Sequence, residues 1–159
     1  HEMALYNAET NGIPTRLTSI CTDVRSLSNE IPPGSFHCCV SNPPYFSAGP
    51  KSLRTPLARR DDCLPMEDLF KAAARFLRYG GDFYLVHKPE LLAQICALGS
   101  ANGLEPKKLC LLRHKEGSPV SLILVHLKKG GKPGLIWQEE ALHHADGSKT
   151  AYYRNLYHI

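Results

Sequence analysis

The stretch that most limits the fold is FHCCVSNPPYFSAGP, residues 36–50. An apolar run suited to a strand ends in Asn42-Pro43-Pro44-Tyr45. Proline has no N–H to give a ladder or a helical turn, and it holds the residue before it at extended angles. Neither a strand nor a helix can continue through this tetrapeptide. A strand over FHCCV must therefore stop here, and the chain must leave the sheet rim along a stiff path.

The chain has 159 residues, enough for one domain with a real core. No apolar run approaches the roughly 20 residues that span a bilayer, and the first residues, HEMALYNAETNG, lack the sections of a signal peptide. Nothing here points outside the cytoplasm, which is the expected location. The six cysteines, at 21, 38, 39, 63, 96 and 110, form no C-x-x-C pair and sit mostly in apolar runs, so they read as reduced thiols packed as small hydrophobes. The eight histidines show no metal-ligand spacing, and His143-His144 read as surface residues; no metal is expected. The net charge of +4 does not by itself establish a polyanion partner. Its basic residues nevertheless cluster: Lys51, Arg54, Arg59 and Arg60; Arg113 to Lys115; and Lys128, Lys129 and Lys132.

Residues 2–11 read as a helix stopped by Asn11-Gly12. RLTSICTDV alternates as a short strand from Leu17 to Cys21, ending at Asp23. Beyond the motif, residues 47–65 form a long polar loop, a length usually associated with function or disorder. MEDLFKAAARFLRYGG predicts an amphipathic helix stopped by Gly80-Gly81, DFYLVHK a buried strand, and Pro89 a further helix ending at Asn102-Gly103. LEPKKLCLLRHK and SPVSLILVHLKKG, joined at Glu116-Gly117, read as an antiparallel pair. Residues 135–142 are extended, and TAYYRNLYHI closes as a helix. This order predicts an α/β fold with a mostly parallel sheet and an antiparallel edge. Ligands of such sheets bind beyond the strands' carboxyl ends, where both Asp23 and Asn42 fall.

Asn-Pro alone is a common turn starter. Behind an apolar strand and ahead of an aromatic ring, the combination points to chemistry. An amine attached to a π-system is a poor nucleophile because its lone pair is delocalised. An acceptor on each N–H holds the nitrogen and favours the geometry in which the pair is available. The Asn42 side-chain oxygen supplies one acceptor and the Pro43 carbonyl the other, both fixed in advance by the two rings. Tyr45 offers a face for a base, worth roughly 1–3 kcal/mol by analogy with other base–aromatic contacts. Phe46 serves equally as an extension of that face or as a core ring. With an activated methyl as electrophile no strong base is required, so transfer to a planar amine fits better than hydrolysis.

SNPPYF at the end of an apolar strand resembles the amino-methylating branch of the S-adenosylmethionine-dependent methyltransferases. The stretches RRDDCLPMEDLFKAAARFLRYGGDFYLVHKPELL, LEPKKLCLLRHK and LKKGGKPGLIW, with DGSKTAYYRNLY, are similar to bacterial tRNA adenine-N6 methyltransferases of the "methyltransferase small domain" group. The resemblance implies a Rossmann-like sheet, S-adenosylmethionine as cofactor and RNA, in particular tRNA, as partner. It implies that Asn42 and Pro43 hold the target amine, Pro44 shapes the turn and Tyr45 stacks on the base. It further implies that Asp23, with Val24 beside it, accepts from the cofactor's adenine amine, although Asp23 alone is equally a turn residue. Arg54 and Arg59 match the family's substrate-side loop. That loop usually reads Ala-Arg-His-Glu and here reads Ala58-Arg59-Arg60-Asp61, so positions 60 and 61 carry no assigned role.

The family's glycine-rich cofactor turn has no counterpart, since no two glycines are separated by one residue. The expectation is that residues 1–159 are the carboxyl-terminal part of a single methyltransferase domain whose first two strands belong between those of Cys21 and Cys39. Alone, such a piece is expected to be inactive, to bind the cofactor weakly and to associate through its sheet edges into a homo-oligomer. Methylation of a glutamine side chain or of DNA adenine, and a non-catalytic RNA-binding or assembly role, are the competing readings.

Overall fold

A computed structural model of the chain describes residues 1–27, 31–43 and 64–159. They divide into two compact units, residues 1–31 and 32–159. The first unit opens with helix α1, Glu2–Thr10, which ends where the Asn-Gly pair predicts. The Asn11 side chain donates to the Asn7 carbonyl at 2.7 Å, and Gly12 turns the chain at φ 68°. A 3₁₀ turn follows at Pro14–Arg16. The expected strand at Leu17 to Cys21 does not form: these residues carry no ladder with any described segment, and Leu17 and Ile20 are exposed. Alternation makes a segment suitable for a sheet, but a strand exists only when a neighbour accepts its hydrogen bonds.

The second unit holds a five-stranded sheet in the order β1-β2-β4-β3-β5. Its strands are β1, Phe36–Ser41; β2, Leu77–His87; β3, Leu104–Lys115; β4, Val120–Lys129; and β5, Ile136–His143. Pairings β1–β2 and β3–β5 are parallel, whereas β4 runs antiparallel to both β2 and β3. Four strands therefore share one direction, as the mostly parallel reading requires. The antiparallel strand is interior rather than at the rim, because β5 adds outside the β3–β4 hairpin. Helices α2, Met66–Phe76, and α3, Leu92–Ala101, connect the early strands, and α4, Ala151–Tyr157, follows β5. No described helix is long and apolar enough to cross a membrane.

Strand alternation divides the sheet into two faces. Phe83, Leu85 and His87 of β2, with Ile123, Val125 and Leu127 of β4, are buried. Leu69, Phe70 and Ala73 of α2 and Ile95 of α3 join them in the core. Phe70 meets Phe83 edge to face, with ring centroids 5.5 Å apart. On the other face Val40 and Tyr84 are exposed, and Tyr84 stacks on His126 at 4.7 Å. The His126 ring is bonded to the Asp82 carboxylate at 2.7 Å, and Lys128 donates to the same oxygen at 3.1 Å. The His126 bond, above all, holds the Asp82 carboxyl below the usual range.

One helix boundary differs from expectation. Helix α2 stops at Phe76, and Gly80-Gly81 lie inside β2. The Lys129 ammonium, arriving from β4, accounts for this by donating to the Ala74 and Leu77 carbonyls at 2.6 and 2.7 Å. It occupies acceptors that the last helical turn leaves open. The glycines serve the bulge instead. Phe36 pairs with Leu77 and Cys38 with Asp82, so residues 78–81 face His37 alone, and Gly80 bends the chain at φ 74°.

Gly99 of α3 packs against the sheet with no room for a side chain. A Cβ there would lie 2.6 Å from Leu127 Cδ2 and 2.7 Å from the Leu104 carbonyl oxygen. The gain of about 1 kcal/mol in helix propensity for Gly→Ala is therefore outweighed by overpacking of roughly 1–3 kcal/mol. Gly99→Ala is expected to lower the urea midpoint at constant slope; a midpoint equal to or above wild type contradicts this packing.

Candidate functional site

The carboxyl ends of β1, β2, β3 and β5 share one edge of the sheet. At the β1 end, Ser41 pairs with Leu85. Two residues further along each strand stand Pro43 and His87. The chain carries Asn42 into an exposed position and Pro43 into a half-buried one. Pro43, lacking an N–H, ends the ladder on this side, and the Asn42 amide and Pro43 carbonyl leave the strand on consecutive residues.

His87 was not singled out by the sequence, where DFYLVHK reads simply as a buried strand. It is 2% exposed, and its Nδ1 accepts the Lys88 backbone N–H at 2.8 Å. An Nδ1 that accepts leaves the neutral ring's proton on Nε2. Lys88 donates to the Ser121 carbonyl at 3.4 Å and so ties the end of β2 to the start of β4. The end of β2, the strand that pairs with β1, is thereby held by polar bonds as well as by packing.

Asp23 and Val24 belong to the first unit, and Asn42 and Pro43 to the second. Asp23 stands in a tight exposed turn. Its Oδ1 accepts from the Arg25 backbone N–H and from Arg25 Nε, each at 2.9 Å, and its Oδ2 pairs with Arg25 Nη2. The Arg25 side chain foremost, then the Arg25 backbone N–H, hold the Asp23 carboxyl down to about 2. The group is thus a carboxylate throughout the neutral range, and an ionised carboxylate can accept roughly four hydrogen bonds. Val24 is half-buried. Pro44, Tyr45, Phe46, Arg54 and Arg59 lie outside the described residues.

The other basic clusters are largely engaged within the protein. Arg113 donates to the Ser118 carbonyl and pairs with Glu139 at 3.0 Å. Lys128 and Lys129 make the bonds described above. The described cysteines are free thiols, but Cys21 and Cys38 are exposed rather than packed; Cys110 is buried, and burial raises its thiol above the ordinary value. At the far end of the same edge an open cleft of about 460 Å³ lies between β5, α4 and the β3–β4 turn. Arg113, Glu140, Thr150 and Tyr152 are among its lining residues. Nothing in the sequence marked it, because it forms only when the final helix returns to the sheet.

No family model matches the chain. A tRNA1(Val) (adenine(37)-N6)-methyltransferase of Bacteroides fragilis (strain YCH46) is 30% identical over 137 residues, which is 81% of this chain and 56% of that protein. The protein of the same name from Aeromonas hydrophila is 30% identical over 124 residues, 76% of this chain and 52% of the relative. The chain thus spans about half the length of the curated relatives it matches. Among solved structures, a predicted O-methyltransferase from Agrobacterium tumefaciens superposes with a TM-score of 0.76 at 20% identity, covering 98% of this chain and 69% of that one. The geranyl diphosphate C-methyltransferase of Streptomyces coelicolor A3(2), in complex with S-adenosyl-L-homocysteine, gives 0.51 at 12% identity over 80% of this chain and 59% of that one. At such identities the structural likeness establishes the fold alone.

Proposed function

This chain belongs to the S-adenosylmethionine-dependent methyltransferases, and we propose that the whole protein methylates the exocyclic amine of an adenine in RNA, with a tRNA as the substrate. The observation that carries the proposal is the Asn42-Pro43 exit from β1 at the sheet's carboxyl edge. The names of the curated relatives support the choice of adenine and of tRNA.

In this reading the Asn42 side-chain oxygen accepts one N–H of the adenine amine and the Pro43 carbonyl accepts the other. Two fixed acceptors orient the nitrogen and favour a pyramidal geometry in which its lone pair is free to attack. Pro44 stiffens the exit, Tyr45 stacks on the extruded base, and Phe46, Arg54 and Arg59 contact the RNA around it. When bound, S-adenosylmethionine supplies an electrophilic methyl group. Asn42 would offer it an acceptor; for Asp23, with Val24 beside it, the role of acceptor from the cofactor's adenine amine rests on the resemblance alone. The amine held by Asn42 and Pro43 would receive that methyl group, and no general base among these residues is needed, because the alkylated amine would lose its proton to water.

The discriminating experiment offers tritiated S-adenosylmethionine to the whole protein with separate RNA, DNA and peptide pools. Label is expected in RNA, as N6-methyladenine after nuclease digestion. Label confined to DNA or to a glutamine-containing peptide rejects the RNA assignment while keeping the amino-methylation chemistry. RNA retained with an ordinary salt dependence but never labelled identifies a binding protein instead.

A further inference from the structure

We propose that His143, Tyr153 and Tyr157, with Lys149, form a second RNA contact, a stacking surface for bases flanking the target adenine; this rests on the reading of RNA as substrate. The rings make a ladder across three elements. His114 at the end of β3 lies 5.0 Å from His143 at the end of β5. His143 lies 5.3 Å from Tyr153 of α4, and Tyr153 lies 4.5 Å from Tyr157. The Lys149 ammonium sits 4.9 Å above the Tyr153 ring, within cation–π reach. His143, expected at the surface, is half-buried inside this ladder.

A ladder that only seated the helix would bury its outermost ring, but Tyr157 is 55% exposed. Nor does the helix need that ring to be held in place. Thr150 anchors it, donating from Oγ1 to the Ala141 carbonyl at 2.7 Å and accepting the Tyr153 N–H at 3.1 Å. The Thr150 backbone N–H adds a bond to the Leu142 carbonyl at 3.1 Å. Tyr157 is therefore left exposed to solvent at the end of the ladder, with the half-buried Tyr153 between it and His143.

Position and charge favour bases as the occupant. Lys115 pairs in register with His143, so the ladder stands at the same sheet edge as Asn42. From β1 to β5 is four strand spacings, or about 19 Å, a span over which a folded RNA loop can deliver one base to Asn42 and lay others on the ladder. Every base has a face that stacks on an aromatic ring, and cations interleaved with rings are the usual means of holding unpaired RNA. The nearby carboxylates are engaged in their own turn: Glu116 accepts from the His144 ring and the Ala145 N–H, and Asp146 accepts from the Ser148 N–H and hydroxyl. These carboxylates disfavour a phosphate track across the turn, so the surface suits base faces better than the backbone. The cleft beside α4, with Glu140 and Tyr152 in its lining, adds acceptors for base amines.

The test measures binding of an unmodified stem-loop RNA with an unpaired adenine to the whole protein by fluorescence anisotropy at several salt concentrations. Tyr157→Ala is expected to weaken binding roughly tenfold. Lys149→Gln is expected to reduce the salt slope by about one. Both should leave kcat at saturating RNA and the melting temperature unchanged. Unaltered affinity and salt slope in both folded variants overturn the proposal while leaving RNA methylation standing. A wild-type protein that methylates DNA or peptide but neither binds nor methylates RNA removes the functional reading and this surface together. Should Tyr157→Ala fail to fold, ultraviolet crosslinking of the wild-type complex decides. Adducts on Tyr153 or Tyr157 support the surface, and adducts confined to other segments reject it.

Discussion

In the whole protein, Asn42→Ala is expected to lower kcat for methyl transfer by about 10²–10³, the range seen when one preorganised hydrogen-bonding group is removed from a charge-developing site. The side chain stands at the exposed end of β1, beyond the last paired residue, so the substitution removes an acceptor without opening the core. Circular dichroism and melting should therefore stay close to wild type. The loss belongs in kcat more than in KM, because the second acceptor and the stacking face still hold the base. Asn42→Asp keeps an acceptor oxygen and should retain more activity than the alanine variant. Pro43→Ala keeps the carbonyl but frees the backbone of Asn42, so its expected cost is smaller than that of Asn42→Ala. Undiminished transfer by Asn42→Ala to RNA, DNA and peptide alike would remove the acceptor pair from the mechanism.

What the sequence discloses depends on the range of the interaction that decides each feature. The strand before Asn42, the antiparallel hairpin turning at Glu116-Gly117, and the stops at Asn11-Gly12 and Asn102-Gly103 rest on residues within a few positions of one another. Those were legible. The end of α2 was not, because Lys129, more than fifty positions away, binds the carbonyls of Ala74 and Leu77. Residues 17–21 have the composition of a strand, but pairing is a property of two segments, and no described segment pairs with them. The placement of β5 outside β3, which moves β4 from the rim to the interior, likewise depends on tertiary register.

The candidate site divides in the same way. Asn42 and Pro43 announced themselves because proline chemistry is local and cannot be hidden by context. His87 gave no signal: a histidine in DFYLVHK looks like one more strand residue until its Nδ1 is found bonded to the Lys88 N–H. The tyrosines of TAYYRNLYHI could be read only as part of a helix. Their relation to His114 and His143 exists only once β3, β5 and α4 meet, although three aromatic residues in so short a tail are a compositional hint.

The largest stability effect is expected at Phe83, and its contrast with Tyr84 tests the two-faced sheet. Phe83 is 1% exposed, pairs in register with both Cys39 and Leu127, and meets the fully buried Phe70 edge to face. Phe83→Ala in the 159-residue chain should cost about 3–5 kcal/mol, since α2 and the sheet cannot collapse fully onto the space left behind. Against a total stability of about 5–15 kcal/mol for an ordinary domain, that is a large share. Tyr84, the next residue, points to the opposite face and is 43% exposed. Tyr84→Ala removes the stack on His126, leaves the Asp82–His126 bond in place and should cost roughly 0.5–1.5 kcal/mol. Urea titrations at constant slope give both values. Because β2 supplies the ladder on which β1 is held, the Phe83 variant should also lose methyl transfer in the whole protein, whereas the Tyr84 variant should keep it. Equal costs at the two adjacent positions would contradict the alternation of faces, and with it the rigid seat on which Asn42 depends.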